Sequence, residues 1–365
     1  MKNHLVRFFV CILALSLLGP SSTVIASTNQ VEIAGSPQST AMLPNAPTDT
    51  FSCDSVTDVP QIECEALEAL YTSANGAGWY SKSNWLETNT VGNWYGITVA
   101  SGHITRTILT GNNLIGSISP QLGDLSNLQR LYLDDNQLSG SIPPALGNLN
   151  NLQYLYLIKN QLSGSIPPAL GDLSNLQYLG LSDNQLSGSI PPQLGYLSNL
   201  QRLYLGNNQL SSSIPPQLGN LSNLWDVSLS HNQLSGSIPS ALGNLSNLQY
   251  LDLSDNQLSG SIPMELGNLS NLIYLYLYNN QLSGSIPPAL GNLSNLQYLY
   301  LYTNDLSGRI PLTFTHLAVL YKFYFYDTYL CEPDVPEFLA WKATIPYWQG
   351  TDVVCKMMYL PITCR

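Results

Sequence analysis

Four histidines, His4, His103, His231 and His316, are where acid–base or metal chemistry would first be sought in this sequence. None stands at a metal-ligand spacing from another histidine or from a cysteine, so neither a metal nor a cofactor is expected. The nearest approach to a nucleophile, base and acid is Ser230, His231 and Asp255. A solvated polar edge accounts for them, and nothing beside them would form an oxyanion hole. Asp134 and Asp135 are neighbours that would point apart at a strand end, which suits a rim better than acid–base work. No catalytic residue is assigned, and the chain is not read as an enzyme. What it has in quantity is tyrosine, 22 residues. Residues 271–280 read NLIYLYLYNN, with Tyr274, Tyr276 and Tyr278 alternating with Leu275 and Leu277. A half-buried strand alternates apolar with polar side chains. Here the second face is aromatic, and tyrosine offers rigid contact area plus a hydroxyl at low entropic cost, the chemistry of recognition.

The elements that position these residues come from a repeat. From about residue 104 the sequence copies itself every 24 residues, and Asn112, Asn136, Asn160, Asn184, Asn208, Asn232, Asn256, Asn280 and Asn304 fall on that grid. A tenth unit keeps Phe323, Phe325 and Leu330 but has Thr328 at the asparagine place. A period of this length means a solenoid whose units bury their apolar faces against each other. In LQRLYLDDNQL, Leu131 and Leu133 are two apart and point the same way from a strand, with Leu128 and Leu138 closing the layer. The asparagine can donate and accept at once, so it can satisfy backbone where the chain leaves the strand. Gly140 permits a bend, and Pro143 and Pro144 start a short convex piece, PALGN.

If Leu275 and Leu277 point inward, the tyrosines point out. Tyr274, Tyr276 and Tyr278 are then flanked by Tyr298, Tyr300 and Tyr302, and these by Lys322, Tyr324 and Tyr326. Strands lie about 4.8 Å apart, so these nine residues tile one continuous patch, the expected ligand-binding site. Lys322 adds one charge for a carboxylate or acidic sugar. Towards the other end the same columns hold Arg106, Arg130, Tyr132, Tyr154, Tyr156, Tyr178, Arg202 and Tyr204, with Gly180, Asp226, Ser228 and Asp252 between. Tyrosine is also a good strand former, and ladders of it stabilise a sheet without any ligand.

The pattern L-x-x-L-x-L-x-x-N-x-L-x-G-x-I-P resembles the plant-type leucine-rich repeat over about residues 104–330. Gly140, Ile142 and Pro143 match it; Ser119 replaces the proline of the first unit and Ser212 the glycine of the fifth. The resemblance implies an α/β solenoid: a right-handed arc with a parallel concave β-sheet, a second short sheet on the I-P segment, short convex helical or 3-10 segments, and caps at both ends. Residues 51–103 resemble the N-terminal cap of exported bacterial leucine-rich repeat proteins. Ile62, Ala66, Leu67 and Leu70 stand at helical spacing after Pro60, followed by Trp79, Trp85 and Trp94. That cap usually carries two further cysteines, at the places held here by Gly92 and Val99. Residues 331–356 resemble the C-terminal cap, with a short helix from Glu337 to Ala343 and Phe338 and Trp341 on its core side.

Residues 1–26 read as a secretory signal, with Lys2 and Arg7 before an apolar run and cleavage after Ala26. Residues 27–50 read as a flexible leader and 357–365 as a tail, in which Leu360-Pro361-Ile362-Thr363 resembles a sortase anchoring pattern but with Cys364 in place of glycine. The formal net charge of −11 becomes −11 − 2 = −13 without the signal, which argues against nucleic acid as a partner. Export implies oxidation, and Cys331 is paired with Cys355 and Cys53 with Cys64. The expectation is a secreted or cell-surface, non-catalytic protein binding a protein, peptide or glycan on its concave face, with no membrane span. An inhibitor of a secreted polysaccharide-degrading enzyme, as the resemblance to the polygalacturonase-inhibiting architecture implies, and a structural component of a cell envelope are the alternatives.

Overall fold

The computed structural model describes residues 51–355. The expected signal, leader and tail, together with Cys364, lie outside those residues.

Each repeat folds as its residues require. Arg130–Tyr132 is a three-residue strand, Gln137–Gly140 a second one, and Pro144–Asn148 a 3-10 turn with proline at its start. Leu128, Leu131, Leu133, Leu138, Ile142 and Leu146 are all buried, and the same six places are buried in the following repeats. Full burial stabilises such a side chain by about 1.5–3 kcal/mol, so the core is a column of leucine layers rather than a globule.

The first strands build a twelve-stranded sheet. Ten of its members come from the repeats, from His103–Ile108 to Lys322–Tyr324, and they run parallel with each residue opposite its copy 24 positions on. Ten strands were expected; the two extra belong to the ends. Ile97–Ala100 pairs antiparallel with His103–Ile108 through a turn at Ser101 and Gly102, both at positive φ. Tyr347–Gln349 adds in parallel beyond Lys322–Tyr324.

The second sheet has ten strands, but they fall on Q-L-S-G and not on the I-P segment. Proline has no N–H to give a ladder, so pairing ends before Pro143. Ser212, where the other repeats have glycine, holds the same positive φ of 69°.

Both ends are closed by aromatic residues. The helix α1, Gln61–Ser73, buries Glu63, Cys64, Ala66, Leu67 and Leu70. Ile62 was expected on that face and is instead 53% exposed. The Cys53–Cys64 disulfide sets the helix rotation, and Ile62 lies about 140° round from Leu67. Trp79, Trp85 and Trp94 pack in a row 4.8 and 5.0 Å apart, each indole N–H donating to a backbone carbonyl. At the other end α2, Pro336–Lys342, buries Phe338 and Trp341 against Phe314 and Trp348, and Cys331 is bonded to Cys355.

The absent cap cysteines left their geometry behind. A Cβ placed on Gly92 would lie 3.5 Å from the Cβ of Val99, within the span of a disulfide. Asp58 holds this loop instead, accepting from the N–H groups of Val91 and Gly92 at 2.9 and 2.7 Å. The double variant Gly92→Cys, Val99→Cys should therefore oxidise to a third disulfide and raise stability by about 2 kcal/mol. Peptide mapping and urea melts of the oxidised proteins decide it; free thiols or a lower midpoint refute it.

Candidate functional site

Two asparagine ladders hold the loops on either side of the concave sheet. Asn208 shows the first: its Oδ1 accepts from the N–H of Leu186 at 2.9 Å. Its Nδ2 donates to the carbonyls of Leu181, Leu205 and Gly206 at 3.0–3.2 Å. Asn136, Asn160, Asn184, Asn232, Asn256, Asn280 and Asn304 repeat this arrangement. Asn112 turns to the N-terminal cap, bonding Ser81 through both N–H and C=O. Thr328 does a reduced version, donating to the carbonyl of Phe325 at 2.6 Å.

The second ladder was not foreseen. Asn151, Asn175, Asn199, Asn223, Asn247, Asn271 and Asn295 each donate to a carbonyl of the preceding repeat, at 2.8–2.9 Å. Its signal was the recurring N in L-S-N-L.

The residue before each ladder position, from Asp135 before Asn136 to Asp327 before Thr328, is left-handed with φ of 50–56°. His231 sits there, and its Nε2 lies 3.3 Å from Asp255. Ser230 turns the other way, to the hydroxyl of Ser228 at 3.2 Å, so the three residues do not form a relay. Asp134 accepts from Thr110, and Asp135 pairs with Lys159 at 3.5 Å.

The nine predicted patch residues are together on one face, all half-buried. Tyr278, Tyr302 and Tyr326 lie just past the strand ends, where the loop keeps the register. Tyrosines of adjacent repeats stack face to face: Tyr274 on Tyr298 at 4.7 Å, Tyr276 on Tyr300 at 4.6 Å, Tyr300 on Tyr324 at 4.9 Å. Tyr278, Tyr302 and Tyr326 form the third column at 4.5 and 4.6 Å. Both faces of Tyr300 and Tyr302 are thus spent on neighbouring rings, and the centre of the patch presents ring edges and hydroxyls. Burial holds the phenols of Tyr276, Tyr278, Tyr300 and Tyr302 above their usual range, so they keep their protons to higher pH than a free phenol. Lys322 lies over the ring of Tyr347 at 4.8 Å and near that of Tyr298 at 6.0 Å.

Nearer the N-terminus a second aromatic run, Tyr132, Tyr156, Tyr178 and Tyr204, is in continuous ring contact. Gly180 beside it is covered by the side chains of Tyr178 and Ile158, and Ser228 and Asp252 follow in its column. Tyr204 donates to Asp226, whose carboxyl burial pushes above the usual range. Trp225, which the sequence reading passed over, stacks under Arg202 at 4.2 Å. Among the described residues no helix is long and apolar enough to cross a membrane, and no group of three or more histidine, cysteine or acidic residues is placed to hold a metal.

A family model described as a leucine-rich repeat region matches residues 162–361, and a second leucine rich repeat model matches residues 126–186. No curated protein matches the chain. Among solved structures, it is similar to the ectodomain of the Arabidopsis thaliana receptor kinase GASSHO1/SCHENGEN3 in complex with CASPARIAN STRIP INTEGRITY FACTOR 2. That match has 40% identity and a TM-score of 0.72, over 77% of this chain and 34% of that one. The ectodomain of the Arabidopsis receptor kinase HAESA, in complex with an extended IDA peptide hormone, matches with 32% identity and a TM-score of 0.64, over 74% of this chain and 47% of that one. A plant ice-binding protein matches with 29% identity and a TM-score of 0.67, over 83% of this chain and 100% of that one. The chain spans between a third and a half of the length of these two receptor ectodomains. With one family model covering more than half of its residues and the parallel strand register unbroken across the repeats, the chain belongs to the plant-type leucine-rich repeat proteins.

Proposed function

We propose that this is an extracellular, non-catalytic recognition protein that holds a polypeptide ligand on its concave face, centred on Tyr276, Tyr300 and Tyr302. The observation that carries the reading is the stacking itself. Because Tyr300 and Tyr302 are stacked on both faces, the centre of the patch meets a ligand with edges and hydroxyls, which suits hydrogen bonding to peptide groups better than stacking of sugar rings. Receptor ectodomains of the same architecture that are solved with a peptide hormone support a polypeptide ligand. The two disulfides support an oxidising, extracellular location.

Interfaces draw most of their energy from a few central aromatic anchors. Tyr300→Ala should weaken ligand binding about tenfold or more, with little loss of stability. Tyr156→Ala, in the same column six repeats nearer the N-terminus, should matter less. Titration of ligand captured from a peptide library, with melts in parallel, makes the comparison. Equal losses would spread the site along the whole arc; no loss in either variant would return the tyrosines to a purely structural role.

A second reading is favoured by the opposite sheet. Its strands repeat Q-L-S-G almost unchanged, with a serine column from Ser139 to Ser283 and no charge until Asp305. An uncharged, periodic hydroxyl face suits adsorption to a crystalline surface, and the plant ice-binding protein is matched over its whole length. Inhibition of ice recrystallisation tests it directly, and its absence removes this reading.

A further inference from the structure

Trp225 departs from a place that the repeats mostly keep as glutamine. Gln129, Gln153, Gln177, Gln201, Gln249 and Gln297 stand just before their concave strands, and in this repeat an indole stands there instead. Its backbone keeps the common register: the N–H donates to the carbonyl of Gln201 at 3.0 Å, and its own carbonyl accepts from Gln249 at 2.9 Å and Tyr250 at 3.1 Å. The substitution therefore changes the surface and not the fold. Trp225 is half-buried at the edge of the sheet.

One face of the indole is under Arg202, which belongs to the preceding repeat, at 4.2 Å. That cation–π seat fixes the ring. A pocket of about 350 Å³ adjoins it, lined by Asn223, Trp225, Asn247, Gln249 and Asn271. All five come from the repeat of Trp225 and the two that follow, so the pocket is on the side of the indole away from Arg202. Tyr300 and Tyr302 have spent both faces on other rings, whereas no aromatic ring stacks on Trp225 among the described residues.

The other walls are neutral amides. Asn223, Asn247 and Asn271 belong to the second ladder, and each gives one amide hydrogen to a carbonyl of the preceding repeat at 2.8 Å. That bond orients the amide and leaves its Oδ1 and a second hydrogen for another partner. Gln249 is exposed. No charged residue lines the pocket; Asp226, next to Trp225, turns to Tyr204. An oriented ring face walled by groups that both donate and accept fits a sugar. The C–H groups on the flat side of a pyranose meet the negative face of an aromatic ring, and its hydroxyls need donors and acceptors together.

We propose that this pocket is a saccharide site: Trp225 seats the C–H face of a neutral pyranose with equatorial substituents, as in β-linked glucose or N-acetylglucosamine, and Asn247, Gln249 and Asn271 bond its hydroxyls. Two repeat steps separate Asn223 from Asn271, about 10 Å, room for one or two sugar rings. The site is separate from the tyrosine patch and stands whether or not that patch holds a polypeptide.

The probes are cellohexaose, chitohexaose and an oligogalacturonate, each titrated calorimetrically into the protein at low and high salt, with the indole N–H resonances followed in parallel. At least one of the two neutral oligosaccharides should bind, with an affinity that salt does not change, and which one binds identifies the sugar. Trp225→Gln installs the residue of the neighbouring repeats, so the fold should be kept while affinity falls about tenfold or more. Gln249→Ala should lower it about three- to tenfold. Tyr196→Ala, an exposed aromatic on the convex turn Pro192–Tyr196, should leave it unchanged. The resonance missing from Trp225→Gln should be the one that shifts when the parent binds sugar. Should Trp225→Gln lower the melting temperature, the Gln249 variant and the resonance decide. No binding of either neutral oligosaccharide, tighter binding of the oligogalacturonate, full affinity in Trp225→Gln or in Gln249→Ala, an equal loss in Tyr196→Ala, or an unmoved Trp225 resonance overturns the proposal.

Discussion

Replacing Gly219 with alanine should lower the stability of the solenoid by about 3 kcal/mol, the upper end for overpacking a tight interior. This glycine sits in the 3-10 turn Pro216–Asn220, at an ordinary φ, so conformational freedom is not its role. A Cβ there would lie 2.3 Å from the carbonyl oxygen of Ala241 and 2.7 Å from its carbon. Those atoms are backbone of the next repeat, and no side-chain rotation can move them aside. The clash forces two convex turns apart and opens a layer that Leu218 and Leu242 close. Gly236→Ala is the contrasting case: its φ is +75°, but an added Cβ meets nothing nearer than Ser213 at 3.6 Å. That change should cost only about 1–2 kcal/mol, the left-handed penalty alone. Urea melts with fitted slopes compare the two, and a Gly219 variant no worse than Gly236→Ala would show that the repeats are packed more loosely than their distances say.

Asn208→Ala should cost a similar amount, about 3 kcal/mol, through a different mechanism. The change leaves one N–H and three carbonyls of two repeats without their partner. A buried polar group left unpaired costs about 1–3 kcal/mol, and water reaching the half-buried site recovers part of the sum. Asn208→Asp separates hydrogen bonding from shape. It keeps the acceptor for Leu186 but turns a negative oxygen on three carbonyls, so it should be at least as damaging as alanine at neutral pH. Stability within experimental error of the parent for either variant would mean that the ladder follows the fold instead of holding it.

The repeating unit was legible because a single period governs every buried position: Leu131 and Leu133 could be placed inward from spacing alone. The ends were less legible, since no second copy exists to compare. Ile62 looked like a core residue until the Cys53–Cys64 bond set the rotation of α1, and the hairpin at Ser101-Gly102 adds an antiparallel strand that no period announces. The second sheet was displaced by a few residues because the recurring I-P draws the eye, whereas it is the missing N–H of proline that stops pairing before it. At the candidate site, the identity and outward direction of the tyrosines followed from alternation. Their stacking did not, nor did the seat of Arg202 on Trp225, because ring orientation depends on the neighbouring strand. The glycines of ALGN recur as visibly as the asparagines, yet their reason is an inter-repeat distance that only coordinates supply.

The unbroken one-to-one register has a consequence for length. Arg130 and Tyr298 stand seven strands apart in one column, roughly 34 Å at the usual strand spacing. Since each unit joins its neighbours through the same contacts, removing residues 209–232 would rejoin like to like and shorten that gap by one step, about 4.8 Å. The molecule is in this sense a ruler with interchangeable gradations. Loss or gain of a unit by recombination between near-identical coding segments would reset the distance between such marks, while the caps, the asparagine ladders and the residues at each mark stay as they are.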